Sequence, residues 1–527
     1  MFIDARQIPA HTAFDADICI IGAGAAGIAM ALTLAGGRHN VILLESGGLD
    51  FDAATHDLSR AAQQIGVRTD GIDENRLRYF GGTTGHWNGW SRPLDAIDFE
   101  QRPWVPHSGW PISLSDLEPF YPLAHKICEI YTPNYEPEYW LKRSTSDRYR
   151  LLTLDPSQFR NILYLLSPPT RFGQVYRETI SKADNIRALL HANALEIQMD
   201  AAGNRVAEIR VGTLAGHQFR LTARAVVLAT GAIENARLLL NSNRTEAAGV
   251  GNRHDLVGRF FMQHPSARSA RMLPSDHRLP LDFYMEAKIE QQVMVSVLQV
   301  TEEQQRKNLM LNHNIHVYPS PYRWDGLVET TKKIARAALY FGFDEVAEDL
   351  RGVIADIDGI AAPFYLAFDK GRTLEFASLN YRPEQAPNFD SRVTLSPERD
   401  MLGLQRVIVD WRLSHLDTHT IRIGHRLFAS AVARSGLGRV RTRVDFNNRN
   451  WPYEAVYLHG GHHHYGTTRM SDDPRHGVVD RHCRIHGVSN LYVAGSSVFP
   501  TTGCANPTLT ILALALRLAD KLKTSLT

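Results

Sequence analysis

The sequence predicts a mixed α/β fold: a parallel sheet flanked by helices, interleaved along the chain with a second unit of antiparallel strands and helices. Three observations predict it. Residues 17–48, DICIIGAGAAGIAMALTLAGGRHNVILLESGG, run from an apolar strand through a glycine turn and a small-residue helix into a second apolar strand. A second strand, Ala225 to Ala229, breaks at Thr230-Gly231-Ala232 into the helical stretch IENARLLLNSN. Strand-like segments such as QVMVSVLQV and LNHNIHVY then recur between 263 and 460.

The first of these units carries the most chemistry. Gly22, Gly24 and Gly27 form G-x-G-x-x-G between Ile18–Ile21 and a helix from Ile28 to Ala35, stopped by Gly36 and Gly37. In such a turn the first glycine permits the bend, the second lets backbone approach a pyrophosphate, and the third lets helix and strand pack closely. The helix N-terminus, from Ala25 and Ala26, offers free N–H groups and partial positive charge to phosphate. Val41–Leu44 ends in Glu45, 23 positions after Gly22, where a carboxylate can bind ribose hydroxyls. This is a Rossmann-like unit, and Gly22, Gly24, Ala25, Ala26, Gly27, Glu45 and Ser46 are its expected cofactor contacts. The plain alternative is a βαβ turn without a ligand. Glu45-Ser46-Gly47-Gly48 leans towards FAD over NAD.

Composition narrows the class. The 527 residues suit two to four domains or one interleaved pair, and 44% hydrophobic with 22% charged residues permits large cores. A formal net charge of +2 gives no argument for nucleic acid. Cys19, Cys128, Cys483 and Cys504 are far apart, so neither a disulfide framework nor a haem-attachment motif is expected. The N-terminus shows no signal-peptide pattern and no apolar run reaches about 18 residues, so the expectation is a cytoplasmic protein with no membrane span.

Segment 49–76 is polar with helical potential. Next, RLRYFGGTTGHWNGWSRPLDAIDF, residues 76–99, holds Gly81, Gly82, Gly85 and Gly89 with Thr83 and Thr84, and must be a loop where backbone comes close to something. His86, Trp87, Asn88 and Trp90 sit inside it; the alternative is an aromatic structural loop. Residues 103–130 read as loop then helix, capped by Ser113 or Ser115. Residues 131–180 look irregular. Residues 186–229 return to β pattern, with Gly203-Asn204 as a hairpin turn. A helix with a basic amphipathic face is expected over 328–356, read as packing on its own domain rather than on a membrane or partner. RVIVDWRLS is a strand, and THTIRIGHRLFASAVARSG a helix ended by Gly436.

The stretch 459–522 is the second concentration of chemistry. HGGHHHYGTTRM leads through a turn to the buried strand of NLYVAGSSVFPTTG; Asn506, as N-cap, and Pro507, as first helical residue, open an apolar helix, TLTILALALRLADKL. Its buried N-terminus needs a partner, and an anionic reduced flavin ring would suit it. Metal ligation by His459, His462, His463 and His464 is not expected, since no Cys or carboxylate completes a set.

With these motifs in order the chain resembles the glucose–methanol–choline (GMC) oxidoreductases: IGAGAAG with Glu45, GGTTGHWNG, VVLATGAIENARLLL, GRFFMQHP at 258–265, and HHHYGTTRM followed by LYVAGSSVFPTTGCANPTLTILALALRLAD. The resemblance implies a discontinuous FAD-binding domain (1–105, 185–265 and 466–527) and a substrate-binding domain (106–184 and 266–465). It implies FAD-dependent oxidation of a primary or secondary alcohol by hydride transfer to flavin N5. In H-x-x-G-T the first histidine is His463, the general base; Asn506 falls on the second family position, against the substrate oxygen. His462 or His464 could instead face the flavin, and Asn506 could merely cap the helix. Gly82, Thr83, His86, Trp87, Asn88, Gly89, Ala194, Thr230, Gly231, Gly495, Ser496, Asn506, Pro507 and Thr508 complete the implied FAD set. The loop GGTTGHW resembles the pyranose-oxidase and sugar-dehydrogenase branch, in which the histidine before Trp carries FAD covalently; that position is His86. A sugar, glycoside or other polyol is then the expected substrate. The electron acceptor (oxygen, quinone or redox protein), a small partner subunit and homo-oligomerisation stay open. The rival readings are a catalytic subunit passing electrons to a partner and a non-redox lyase on a flavin scaffold.

Overall fold

The computed structural model describes residues 1–67, 71–320, 374–446 and 458–526. The helix expected over 328–356 lies outside the described residues. Strands are numbered here in chain order.

The first sheet has eight strands, in the order β1 (Phe2–Asp4), β7 (Ile186–Leu190), β3 (Val41–Leu44), β2 (Ala13–Ile21), β10 (Gln218–Leu228), β9 (Val206–Gly212) and β8 (Asn193–Met199), with β20 (Leu491–Val493) also on β10. From β1 to β10, and between β10 and β20, all pairings are parallel; β9 and β8 add an antiparallel hairpin. A parallel sheet covered on both faces needs unbroken apolar strands, and Ile18 to Ile21, Val41 to Leu44 and Ala225 to Leu228 are all buried. Helix α1 (Ala25–Leu34) packs against the sheet and against the C-terminal helix Thr508–Ser525.

The second sheet is antiparallel and has nine strands: β18 (Gly438–Thr442), β11 (Pro265–Pro274), β15 (Phe376–Pro383), β14 (His313–Ser320), β13 (Gln292–Val300), β6 (Phe159–Leu166) and β5 (Trp90–Ser91), with β12 (Ala287–Ile289) on β13 and β19 (Leu458–Gly460) on β11. Its two faces differ. Ile315, Val317, Leu379 and Tyr381 point into the core. The alternate positions pair as Asn314 with Arg382, His316 with Asn380 and Tyr318 with Ser378, so one face is polar and aromatic. A third, small sheet joins β16 (Arg392–Arg399), β17 (Gln405–Trp411) and β4 (Gln63–Gly66).

Four expectations need correction. Segment 49–76 is not mainly helical: among its described residues only Ala53–Asp57 is α-helix, and Gln63–Gly66 pairs in parallel with β17. The β run expected from Ile186 up to the Gly203-Asn204 hairpin, IRALLHANALEIQ, is not one strand but two, on opposite sides of β2, because His191 takes φ 57° and turns the chain between them. In 103–130, Ser113 caps only a 3₁₀ turn, Leu114–Asp116. Pro119 and Pro122 then break the stretch, leaving α2 (Tyr121–Ile127) as the one α-helix there. The last helix starts at Thr508, so Pro507 is its cap and Asn506 lies outside it. The other helices that position the site are α3 (Ala232–Asn241), α4 (His415–Arg434) and α5 (Thr508–Ser525). Among the described residues no helix is long and apolar enough to cross a membrane.

Candidate active site

Three neighbouring parallel strands, β2, β10 and β20, end at glycine turns that open into one cavity of about 700 Å³. A Cβ on Gly24, Gly231 or Gly495 would meet nothing within 4 Å, so at all three turns the backbone faces open space rather than protein. Carboxyl ends of parallel strands at such a crevice are where α/β sheets receive nucleotides. Gly22 and Gly27 do different work. Gly22 has φ 105°, and a Cβ there would lie 2.7 Å from the Ala229 carbonyl; one on Gly27 would lie 1.9 Å from the Gly22 carbonyl. Gly27 does not line the cavity: helix–strand packing, not ligand approach, requires it.

Glu45 stands at the end of β3 in the cavity wall. Its Oε2 accepts from the Ala23 N–H at 2.9 Å and its Oε1 from the Gly47 N–H at 3.0 Å. Burial raises its pKa despite these donors and Arg78. Ser46 Oγ donates more weakly to Oε1 at 3.4 Å; a carboxylate has about four lone-pair directions, so Glu45 keeps room for a ribose hydroxyl. Beside it lies a charge cluster without a motif. Glu234 of α3 takes Arg76 and Arg78 at 2.6 Å each, and Arg237 holds Asp400 at 2.6 Å. Burial alone would raise the Glu234 pKa, but Arg78, Arg237 and Arg76 outweigh it and hold the carboxyl at about 2. Arg78 also donates to Ser46 and Ser59, which tie the cluster to the wall.

The histidine loop is clamped from two sides. Gly461 N–H donates to the His264 carbonyl at 2.8 Å, and Ser496 Oγ donates to the His464 carbonyl at 2.6 Å. Gly466 closes the loop with φ 86°, and a Cβ on it would be 2.0 Å from the Phe260 carbonyl. His462 sits at φ 61°, an uncommon conformation for a side chain with Cβ. The three histidines diverge. His464 packs on Phe261 with centroids 5.5 Å apart; its buried Nε2 has no partner and burial lowers its pKa to about 3. His463 turns to the residue just before β11, where its Nδ1 meets the Nδ1 of His264 at 2.9 Å, and His264 Nε2 lies 2.9 Å from the Gly503 carbonyl.

That chain of contacts fixes the tautomers. A carbonyl only accepts, so His264 carries its proton on Nε2 and donates to Gly503. Burial, with Arg382 nearby, lowers the His264 pKa to about 3, so the ring is neutral and its Nδ1 accepts. His463 must then be the donor through Nδ1–H, which leaves its Nε2 as a lone pair. Burial, His264 and Arg382 together push the His463 pKa well below the usual value, so the ring is neutral at pH 7. His463 is half-buried and lines the cavity.

The loop with two tryptophans also lines the cavity. Gly82–Gly85 is a 3₁₀ turn, and His86 follows it. Burial, then Arg171, lowers the His86 pKa. Trp87 Nε1 is anchored on the Thr170 carbonyl at 2.8 Å. Pro507 and Thr508 bring the N-terminus of α5 to the cavity, and no side chain caps it. Its free N–H groups and dipole therefore favour negative charge in the cavity. Asn506 lies in the wall too, with no capping bond.

Every residue anticipated from the sequence lines this one cavity except Gly27: Gly22, Gly24, Ala25, Ala26, Glu45, Ser46, Gly82, Thr83, His86, Trp87, Asn88, Gly89, Ala194, Thr230, Gly231, His463, His464, Gly495, Ser496, Asn506, Pro507 and Thr508. Sequence reading missed Arg76, Arg78, Glu234, Arg237, Asp400, Tyr318 and Arg382 in the wall, and His264 behind it. A signal was present for His264, inside GRFFMQHP, for Glu234 and Arg237, inside VVLATGAIENARLLL, and for Arg76 and Arg78, in the RLR run before the glycine loop. Among the described residues no three His, Cys, Asp or Glu side chains come together as a metal site. The cavity fits FAD: glycine turns that leave the backbone open to phosphate, a carboxylate at the ribose position, and an uncapped helix N-terminus.

Comparison with known proteins agrees. A family described as FAD dependent oxidoreductase matches residues 17–248, and GMC oxidoreductase matches residues 387–515. The chain is 25% identical to 6'''-hydroxyparomomycin C oxidase of Streptomyces lividus, over 95% of this chain and 90% of the relative. It is 24% identical to paromamine 6'-oxidase of Streptomyces fradiae over the same shares. It is 26% identical to the fructose dehydrogenase large subunit of Gluconobacter japonicus, over 64% of this chain and 54% of that one. Among solved structures, pyridoxine 4-oxidase from Mesorbium loti superposes with TM-score 0.57 at 18% identity, covering 96% of this chain and 98% of that one. A formate oxidase does so with TM-score 0.53 at 17% identity, covering 98% and 99%. At these identities the structural likeness speaks for the fold.

Proposed function

Since the chain is a GMC oxidoreductase that uses FAD to oxidise an alcohol, we propose that its substrate is a sugar, glycoside or other polyol and that His463 is the general base. FAD, when bound, supplies the hydride acceptor. The alcohol loses a hydride from carbon and a proton from oxygen, and the C–O single bond becomes a carbonyl. His463 Nε2 is the atom that takes the proton. The observation that carries this is the fixed tautomer: the Gly503 carbonyl, His264 and His463 form a chain that ends in a lone pair at the cavity wall. A neutral imidazole oriented in this way is suited to general-base work near pH 7.

Asn506, released from helix capping, is assigned to the substrate oxygen. His464, with an unpaired buried nitrogen, is assigned to the cofactor rather than to the proton. The polar, aromatic face of the second sheet supports a polyhydroxylated substrate, and so do the sugar-derived substrates named for the relatives. We assign cofactor binding to 1–105, 185–265 and 466–527, and substrate binding to 106–184 and 266–465. Oxygen, a quinone or a redox protein then takes the electrons, and reoxidation by each in turn identifies which.

The test is anaerobic flavin reduction by a sugar panel. His463→Ala is expected to keep FAD and to reduce it at least about 100-fold more slowly. Near-normal reduction would move the base to His462 or His464.

A further inference from the structure

The charges around the cavity are distributed unevenly. Its carboxylates are all engaged: Glu45 by backbone N–H groups, Glu234 by Arg76 and Arg78, Asp400 by Arg237. On the polar face of the second sheet stands Arg382, half-buried, lining the same cavity with Trp90, Tyr318 and His463. The groups that feel its charge are His264, His463, His316, Tyr164 and Tyr465, all neutral near pH 7. No carboxylate among the described residues forms a salt bridge with it. Half-buried in the cavity wall and, among the described residues, without a carboxylate partner, this guanidinium is placed to take an anion. Its planar fork matches a carboxylate or phosphate with two parallel hydrogen bonds.

We propose that the polyol oxidised here carries an anionic group, carboxylate or phosphate, which Arg382 receives. Trp90 and Tyr318 would flank the sugar body: both stack on buried His316, at 5.3 Å and 6.1 Å between centroids. A cationic amino group on the substrate would be repelled by the same guanidinium. The inference rests on the alcohol-oxidising reading above.

The experiment is anaerobic flavin reduction in the holoenzyme by ethyl glucoside and its carboxymethyl, 2-phosphoethyl and 2-aminoethyl counterparts, which keep every ring hydroxyl. The carboxylate or phosphate glycoside is expected to half-saturate at about 10- to 100-fold lower concentration than the neutral one, the usual weight of a charge-assisted contact. The amine is expected to be the weakest, and the better of the two anions identifies the group. Arg382→Gln should collapse this order while Arg382→Lys, which keeps the charge, preserves part of it; the flavin spectrum verifies that both variants fold. Equal saturation by all four glycosides, or preference for the amine, overturns the proposal. A uniform fall for all four in Arg382→Gln with the order intact also overturns it, because the arginine would then act on the reaction rather than on substrate charge. If neutral alcohols reduce the flavin and no glycoside does, the inference alone fails; if no alcohol does, the reading beneath it fails as well.

Discussion

His264 touches neither the cavity nor, on this account, the substrate, yet it decides which nitrogen of His463 is free. Replacing it with leucine removes the acceptor for His463 Nδ1–H and the donor to Gly503, both at 2.9 Å. A buried donor left without a partner costs about 1–3 kcal/mol, and His463 could move its proton to Nε2, the atom that must be bare. The loss expected in flavin reduction is therefore about 5- to 150-fold, with KM much less affected. His264→Asn offers a carbonyl oxygen near the old Nδ1 position and should recover most of the rate. His264→Gln keeps a donor for Gly503 but not the acceptor, and should resemble leucine. Stopped-flow reduction under anaerobic conditions from pH 5 to 9 reads both rate and the acid limb set by His463. Wild-type rate and an unmoved pH profile in His264→Leu would refute the reasoning, as would equal loss in all three variants.

Further predictions concern stability and the cofactor bond. His264, His313 and His425 are buried, and burial lowers their pKa values to about 3, 3 and 4; His316 shifts the same way. Below the unfolded value of 6.5 the unfolded chain binds protons these sites refuse, so stability is full above pH 6.5 and falls as pH drops towards 4. Each histidine contributes about 1.4 kcal/mol per pH unit there, and urea midpoints should fall steeply from pH 6.5 to 5; a flat profile would contradict this. Arg102 and Glu384 form a fully buried pair at 2.6 Å, so Glu384→Gln should cost about 3–5 kcal/mol in unfolding measurements, and Arg102→Met with Glu384→Leu should regain much of it. Acid precipitation is expected to leave the flavin in the pellet, bonded through His86, and His86→Ala to release it; free flavin from the wild type would exclude the bond.

The parts of this protein that were legible in its sequence are those where backbone geometry restricts residue choice. Gly24, Gly231 and Gly495 face open space at three strand ends, and each announces itself as a small-residue turn after an apolar run. Gly27 was legible in its role, the close packing of helix on strand against the Gly22 carbonyl, and only its place among the expected cofactor contacts fails. Arg382 and Tyr318 were illegible: they gain meaning from the register of β14 with β15, which no local pattern sets. His264 sits inside the GRFFMQHP motif, but nothing local joins it to His463, 199 positions away. Asn506-Pro507 misled by one residue, since Pro507 sits outside the first turn as its cap and frees Asn506 for the cavity.

The most direct test of the central claim is the visible spectrum of the FAD-loaded enzyme on anaerobic addition of a sugar and polyol panel, run beside His463→Ala. The account predicts that the flavin band bleaches with at least one polyol in the wild type and persists at least about 100-fold longer in the variant. A band that no alcohol bleaches, or one that bleaches equally fast without His463, would contradict it.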